Sequence, residues 1–213
     1  MKNPVSEKTG GGPTGEDPVV EIVARLRAIS GQTGFMDVVE RIRRLGCGQT
    51  MQRLLHRVPE ENTLVRCFAA QAFGKARCRA AVPLLVGWLL HDQCRRVGTW
   101  AALALGEIGG DDAVAGLMER VKIDENRQAR LVIRECHADS ARMTARQAEW
   151  VHFDPLLEEA RLAAVQVLGE MGAETAQALL EHVAADPAEE NVTRKEAAAA
   201  LARISGGGAS RGE

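Results

Sequence analysis

Ala113-Val-Ala-Gly-Leu-Met-Glu-Arg-Val121 shows a pattern of apolar residues that occurs at three other places in the chain. The other copies run from Thr50 to Val58, from Ala81 to Leu89 and from Thr175 to Val183. Their starting points lie about 31 residues apart, or at twice that spacing. A fixed period of this length indicates a solenoid, in which each unit buries its apolar face against its neighbours.

An alanine-rich pattern precedes three of these copies and recurs once after the last. It is clearest in Val97-Gly-Thr-Trp-Ala-Ala-Leu-Ala-Leu-Gly106, and it returns at Val65 to Gly74, Ala160 to Gly169 and Thr193 to Ala202. Glycine ends a helix readily because it adopts positive φ at little cost, so we predict that Gly74, Gly106 and Gly169, which close three of the copies, terminate helices. Each unit is therefore predicted to be an antiparallel helix pair.

Leu105-Gly-Glu-Ile-Gly-Gly-Asp-Asp-Ala-Val114 and the stretch from Val65 to Leu89 resemble the HEAT-repeat family. The resemblance is to the short HEAT-like form named for phycobilisome lyases, and it extends over residues 36–204. It implies an all-α fold, an α-α superhelix of about five helix-pair repeats with an N-terminal capping helix. The family comprises scaffolds with many unrelated partners, so the resemblance implies a fold and no particular reaction.

Composition divides the chain into three parts. Residues 1–16 contain glycine, proline, threonine and charged residues without an apolar core, and we predict a disordered N-terminal tail. The repeat domain is predicted over residues 17–205, followed by a flexible glycine-rich tail at 206–213. Asp17 and Pro18 are residues typical of a helix start, so the domain is predicted to open with the capping helix.

The spacing of the glycines predicts a further repeat in the second half of the domain. Gly106 and Gly169 lie 63 residues apart, or two periods, and one helix pair is expected between them. Residues 126–152 match the pattern poorly because their second helix is mostly polar. We interpret them as a degenerate repeat.

The overall composition indicates one well-buried domain. Of the 213 residues 46% are hydrophobic and only 3% are aromatic, so alanine, leucine and valine dominate the apolar fraction. The longest apolar run is too short to span a bilayer, and the N-terminus lacks the apolar core of a secretory signal. We therefore expect a cytoplasmic protein. Its cysteines are odd in number and irregularly spaced, which disfavours a disulfide framework: Cys47, Cys67, Cys78, Cys94 and Cys136.

Charge is distributed unevenly along the chain. Residues 1–148 carry 22 basic and 17 acidic side chains, whereas residues 149–213 carry 5 basic and 12 acidic ones. One end is therefore basic and the other acidic, which bears on the ligands that each end attracts.

The second helices of HEAT pairs line the concave face of the solenoid. Helical geometry turns the residues two, five and six places after the first apolar position away from the core or onto its flank. Arginine and tryptophan alternate there, as expected for a groove that holds an acidic or extended segment by charge-assisted hydrogen bonds and stacking. The predicted partner-binding residues are Arg53, Arg57, Trp88, Arg120, Arg146, Trp150 and His182. The alternative is that the indole rings pack over the next repeat and the arginine stems lie along apolar surface.

No metal ion, cofactor or catalytic residue is predicted. His91 and Cys94, with Cys78 nearby, lack the second ligand pair that a zinc site needs. HEAT-like deoxyhypusine hydroxylases are implied to hold iron with repeated His-Glu pairs, and this chain has no His-Glu dipeptide. Asp111 and Asp112 suit a helix N-terminus better than a catalytic pair.

Two further features remain open on the sequence alone. Cys47 lies on a predicted loop, where it is either a turn residue or a reactive thiol. Phe68 and Trp100 occupy the same position of the first helix and form either a second surface patch or part of the packing between repeats.

Three functions are compatible with these observations. The first is a non-enzymatic scaffold that binds a protein partner through its concave face. The second is a bilin lyase or lyase subunit, with Arg57, Arg120 and Trp88 around the tetrapyrrole. The third is nucleic-acid binding through the arginine-rich segment, which an isoelectric point of about 6.2 disfavours. We expect a protein partner and neither a membrane nor nucleic acid.

Overall fold

The computed structural model describes residues 17–29, 31–122, 160–187, 189 and 191–207. All the regular elements within these ranges are helices. None of these helices is both long enough and apolar enough to cross a membrane. The predicted degenerate repeat, with Arg146 and Trp150, lies outside the described residues, as do residues 1–16.

Ten α-helices follow one another in the described ranges, with short 3-10 turns at Val58–Glu60, Arg79–Ala81 and Glu174–Ala176. The helices are α1 (Pro18–Arg27), α2 (Gln32–Leu45), α3 (Gln49–Arg57), α4 (Thr63–Lys75), α5 (Val82–His91), α6 (Arg95–Ile108), α7 (Asp111–Lys122), α8 (Ala160–Glu170), α9 (Gln177–Ala185) and α10 (Asn191–Gly207).

The helices stack as pairs. The first helices α2, α4, α6, α8 and α10 pack one on the next, and we call them the first row. The second helices α3, α5, α7 and α9 form the second row, in which α5 packs against α7 and each of α5, α7 and α9 packs against the following helix of the first row. This arrangement confirms the predicted all-α, HEAT-like solenoid.

A capping helix opens the stack, as predicted. The Asp17 carboxylate accepts a hydrogen bond from the backbone N–H of Val19 at 3.0 Å, and Pro18 occupies the first turn, where no N–H is needed. The hydrogen bonds from Val19 and from the Arg53 side chain hold the pKa of Asp17 below its usual value. Helix α1 ends at Arg27 and packs against α2, α3 and α4, so it covers the first complete pair.

The core follows the apolar positions of the two repeated patterns. One leucine of each second helix is fully buried: Leu54, Leu85, Leu117 and Leu180. The alanine pairs of α4, α6 and α8 are equally inaccessible, because small side chains let neighbouring helices approach closely: Ala69–Ala70, Ala101–Ala102 and Ala163–Ala164.

The glycines that close the alanine-rich pattern do not terminate their helices, so that prediction is wrong. They lie within the first-row helices, at least one residue before the helix end. The chain turns three residues later, where the backbone has positive φ, at Arg77 (51°), Gly109 (72°) and Gly172 (62°). A left-handed residue, rather than the glycine of the pattern, therefore ends each helix.

The same glycines allow the first-row helices to approach closely. A Cβ atom at Gly74 would lie 2.8 Å from the Cα of Ala104, and one at Gly169 would lie 2.6 Å from the Cα of Ala200. Both distances are shorter than any ordinary carbon contact. A methyl group at either position would meet the backbone of the next helix. The role of these two glycines is therefore packing between repeats.

We expect Gly169→Ala to lower the free energy of unfolding by about 1 to 3 kcal/mol, the usual cost of overpacking a core. The matched control is Gly87→Ala on α5, where an added Cβ meets nothing within 4 Å. The control is expected to be neutral or to stabilise by up to about 1 kcal/mol through helix propensity. Urea unfolding of both variants measures the difference, and equal stabilities would contradict the packing role of Gly169.

Helix α8 packs directly on α6 and α7, which corrects the predicted order of repeats. A Cβ at Gly106 of α6 would lie 2.6 Å from the Cγ1 of Val167 in α8, so the two helices are immediate neighbours. The separation of 63 residues between Gly106 and Gly169 equals two periods of the sequence repeat. The two glycines nevertheless lie on adjacent helices of the first row. In the part of the chain that the structure describes, α8 is therefore the next helix of the first row after α6, where the prediction had placed a further repeat.

An arginine near the start of two first-row helices ties three segments together. Arg66 forms a two-point ion pair with Asp92, which follows α5, at 2.9 and 3.0 Å. Its third nitrogen donates to the backbone carbonyl of Glu61 at 2.7 Å. Arg161 repeats the arrangement, because it donates to the carbonyl of Val121 at 2.9 Å and pairs with a carboxylate beyond α9. We call each of these an arginine clamp.

Candidate functional site

The second-row helices present the surface on which the partner-binding residues were predicted. Arg53 and Arg57 lie on α3 and are exposed, as the helical pattern requires. Each is engaged within the chain: Arg53 pairs with Asp17, and Arg57 pairs with Glu60 at 2.5 Å and with Glu61 at 3.3 Å. These charges are therefore partly neutralised before any ligand arrives.

Trp88 is buried, and its assignment as a binding residue is wrong. Only 6% of the residue is accessible, and it belongs to the apolar core. The alternative interpretation of this position, that the indole packs between repeats, agrees with the structure. The predicted alternation of arginine and tryptophan is therefore lost at its centre.

Two of the remaining predicted residues lie on separate helices of the second row. Arg120 is half-buried on α7, and His182 is exposed on α9. Arg146 and Trp150 lie outside the described residues. The structure thus brings Arg53 and Arg57 together on one helix but does not join them to Arg120 and His182 in a single continuous row of charge.

The surface of α5 contains residues that the sequence-based assignment missed. Pro83 is exposed, Leu84, Gly87 and Leu90 are half-buried, and the helix carries no charged side chain before His91. The sequence signal for this surface is the longest apolar run of the chain, residues 80–90. On α7 the neighbouring accessible residues are Val114, Ala115 and Met118.

Several arginines of the basic segment are paired with acidic side chains. Arg41 lies 2.8 Å from Glu21 and 3.0 Å from Asp37, while Arg43 and Arg44 flank Glu40 at 3.8 and 3.2 Å. Internal pairing reduces the positive potential that attracts a phosphate backbone. The arginine-rich composition therefore overstates how basic this surface is.

The cysteines and histidines do not form a cluster in the described ranges. No group of three or more metal-binding side chains occurs there. Burial raises the pKa of the Cys67 thiol well above its usual value and raises that of Cys78. Both thiols are thus poor nucleophiles, whereas Cys47 is exposed.

Phe68 and Trp100, the predicted second patch, differ in exposure. Phe68 is fully buried, and Trp100 is half-buried. The Trp100 ring lines a cleft of about 360 Å³ between the first-row helices α4, α6 and α8. This cleft contains only residues of the first row, so it is separate from the surface of α5.

Comparison with known proteins supports the fold and leaves the activity open. A family model described as HEAT repeats matches residues 51–136. No curated protein matches the sequence. The matched range includes α4 to α7, whose stacked pairs have the predicted architecture. The match supports assignment of this segment of the chain to the HEAT-repeat family.

Proposed function

We propose that this protein is a non-enzymatic scaffold that binds a partner protein along its second row of helices. HEAT repeats commonly mediate protein interactions, which supports the general class. The observation that carries the proposal is the accessible apolar surface of α5. The chain has an odd number of cysteines, which suits a reducing compartment, and we place the scaffold in the cytoplasm.

Part of the apolar surface of α5 stays accessible, although Leu84 packs partly against the core. The buried side of the helix is supplied by Val82, Leu85, Trp88 and Leu89. Leu84 and Leu90 remain partly accessible on other sides. Each square ångström of apolar surface removed from water contributes about 25 cal/mol. A partner that covers these leucines therefore stabilises the complex, because the leucines are in contact with water in the free protein. Contacts of this kind at the centre of an interface contribute most of its affinity.

Charged residues elsewhere on the second row provide a direction for the bound segment. Arg53, His56 and Arg57 are exposed on α3, whereas Glu181 is exposed on α9. We propose an extended or helical segment with an apolar side chain over α5 and an acidic end towards α3, where it competes with Asp17 and Glu60 for Arg53 and Arg57. Complementary charge at the edge of an interface chiefly improves the rate of association and the choice of partner.

The two alternative functions have less support from accessible residues. A bilin site was expected to use Trp88, which is buried. Nucleic-acid binding was expected to use the arginines of the first half of the chain, and Arg41, Arg53 and Arg57 are all paired with carboxylates. No observation of the described residues favours either alternative over the scaffold.

The proposal is tested by photo-crosslinking from the surface of α5. A photoreactive phenylalanine analogue at Leu84 is expected to capture a partner of defined mass in the native host. The same analogue at the exposed Lys195 of α10 serves as the control. Capture from Lys195 and none from Leu84 would place the interface elsewhere.

A charge introduced into this surface then measures its contribution to binding. We expect Leu84→Glu to weaken binding of the captured partner by about tenfold or more, equivalent to about 1.4 kcal/mol. Lys195→Glu is expected to leave the affinity unchanged, and the helix content of both variants should match that of the wild type. Arg57 is unsuitable for this test because its loss also removes a partner of the buried Glu61. An unaffected Leu84→Glu variant would rule out α5 as the centre of the interface.

A further inference from the structure

The cleft on the first row has the features of a ligand site. Its volume of about 360 Å³ lies within the range of pockets that bind small molecules and single side chains. The α4 wall is formed by Gln71 and Lys75, the α6 floor by Trp100 and Glu107, and the α8 wall by Glu170 and Met171. The cleft therefore combines an indole, a thioether, an amide and three charged groups.

The α4 wall contains a hydrogen-bond donor in need of an acceptor. The side-chain nitrogen of Gln71 is buried and has no hydrogen-bond partner among the described groups. A buried N–H group without an acceptor is unfavourable and is uncommon in folded proteins. Lys75, one turn further along α4, is already occupied by the Glu107 carboxylate at 2.5 Å. The donor available to a ligand on this wall is thus Gln71.

The opposite wall contains an uncompensated negative charge. Glu170 accepts a hydrogen bond from the Gln166 side chain at 2.8 Å. Among the residues that the structure describes, no lysine or arginine lies within ion-pair distance of this carboxylate. Because Lys75 pairs with Glu107, the cleft has one acidic group in excess. The half-buried ring of Trp100 lies in the same cleft.

We propose that this cleft binds an arginine-bearing segment of a partner protein. The Gln71 amide rotates into the cleft and donates its hydrogen bond to a main-chain carbonyl of the segment. The guanidinium lies over the Trp100 ring and pairs with Glu170. An indole face attracts a cation, and the planar guanidinium is the cation that both stacks on a ring and pairs with a carboxylate. This site belongs to the first row and does not depend on the proposed role of α5.

The test uses N-acetyl-arginine N-methylamide as the probe and nuclear magnetic resonance as the measurement. We expect the probe to shift the signals of the Trp100 indole N–H and the Gln71 side-chain amide together, in a saturable manner. The citrulline analogue has the same shape and carbonyl groups but no charge. It is expected to bind about fivefold more weakly or worse, because it lacks the cation–π and ion-pair contributions.

Three variants distinguish the two halves of the site. Glu170→Gln is expected to weaken binding of the arginine probe by about fivefold and to have little effect on the citrulline probe. Gln71→Leu should weaken both probes by similar factors, because both present the same carbonyl. The control Glu174→Gln removes an exposed carboxylate that is not part of the cleft and should change neither affinity.

Several outcomes would overturn the assignment. Equal affinities for the arginine and citrulline probes would show that the cleft does not recognise charge. Shifts confined to signals other than Trp100 and Gln71 would place binding elsewhere. Unchanged signals at both residues over the whole titration would show that the cleft does not take an arginine side chain.

Discussion

Arg66→Ala is expected to lower the free energy of unfolding by about 3 to 5 kcal/mol, the range found when one partner of a buried ion pair is removed. The Arg66 side chain is only 17% accessible and that of Asp92 only 6%. Truncation leaves the Asp92 carboxylate without its cation and the Glu61 carbonyl without the Arg66 donor. The clamp joins α4 to the segment that follows α5, so its loss should also loosen the junction with α6.

The control for this prediction is an ion pair at the surface. Arg25 is 43% accessible and pairs with Glu21 and Asp37, and Arg25→Ala is expected to cost at most about 1 kcal/mol. Chemical denaturation of Arg66→Ala, Asp92→Ala and the double variant gives the coupling energy between the two side chains. If Arg66→Ala and Arg25→Ala have similar stabilities, the clamp has no special role in holding the stack together.

Leu85→Ala is expected to cost about 2 to 5 kcal/mol, through lost burial and the cavity that remains. Leu85 is fully buried at the centre of α5. The adjacent Leu84 offers a matched control, since it has the same side chain on the same helix but is half-exposed. Leu84→Ala should therefore cost much less than Leu85→Ala in the same denaturation experiment.

The distribution of the effect along the chain is a second measurement on the same variant. Solenoid repeats interact mainly with their neighbours. Hydrogen exchange in Leu85→Ala should therefore increase most in α4 to α7 and least in α9 and α10. A uniform increase from α1 to α10 would indicate a single cooperative core in place of a stack of locally coupled pairs.

The helix pairs could be predicted from the sequence because their determinants are local. The apolar spacing within each second helix placed Leu54, Leu85 and Leu117 in the core, where they lie. Asp17 and Pro18 likewise predicted the start of α1, since a helix N-terminus depends on only a few adjacent residues.

The errors concern contacts between repeats. The position of Trp88 at the flank of its helix is compatible with exposure or burial, and the approach of the neighbouring repeats decides between them. A glycine near a helix end serves equally as a terminator or as a point of close packing, and Gly169 is the latter. A spacing of two periods cannot distinguish an additional repeat from additional chain. All three questions depend on distances between segments that are remote in sequence.

The direct packing of α8 on α6 has a consequence for how the protein folds. The chain between Gly106 and Gly169 is about twice as long as that between Gly74 and Gly106, yet both segments join adjacent members of the first row. Doubling the length of a closed loop adds only about 0.6 kcal/mol of entropic cost. Folding speed is more sensitive, because contacts between distant residues form more slowly. We therefore expect α8 to α10 to dock later than α4 to α7, with little loss of stability.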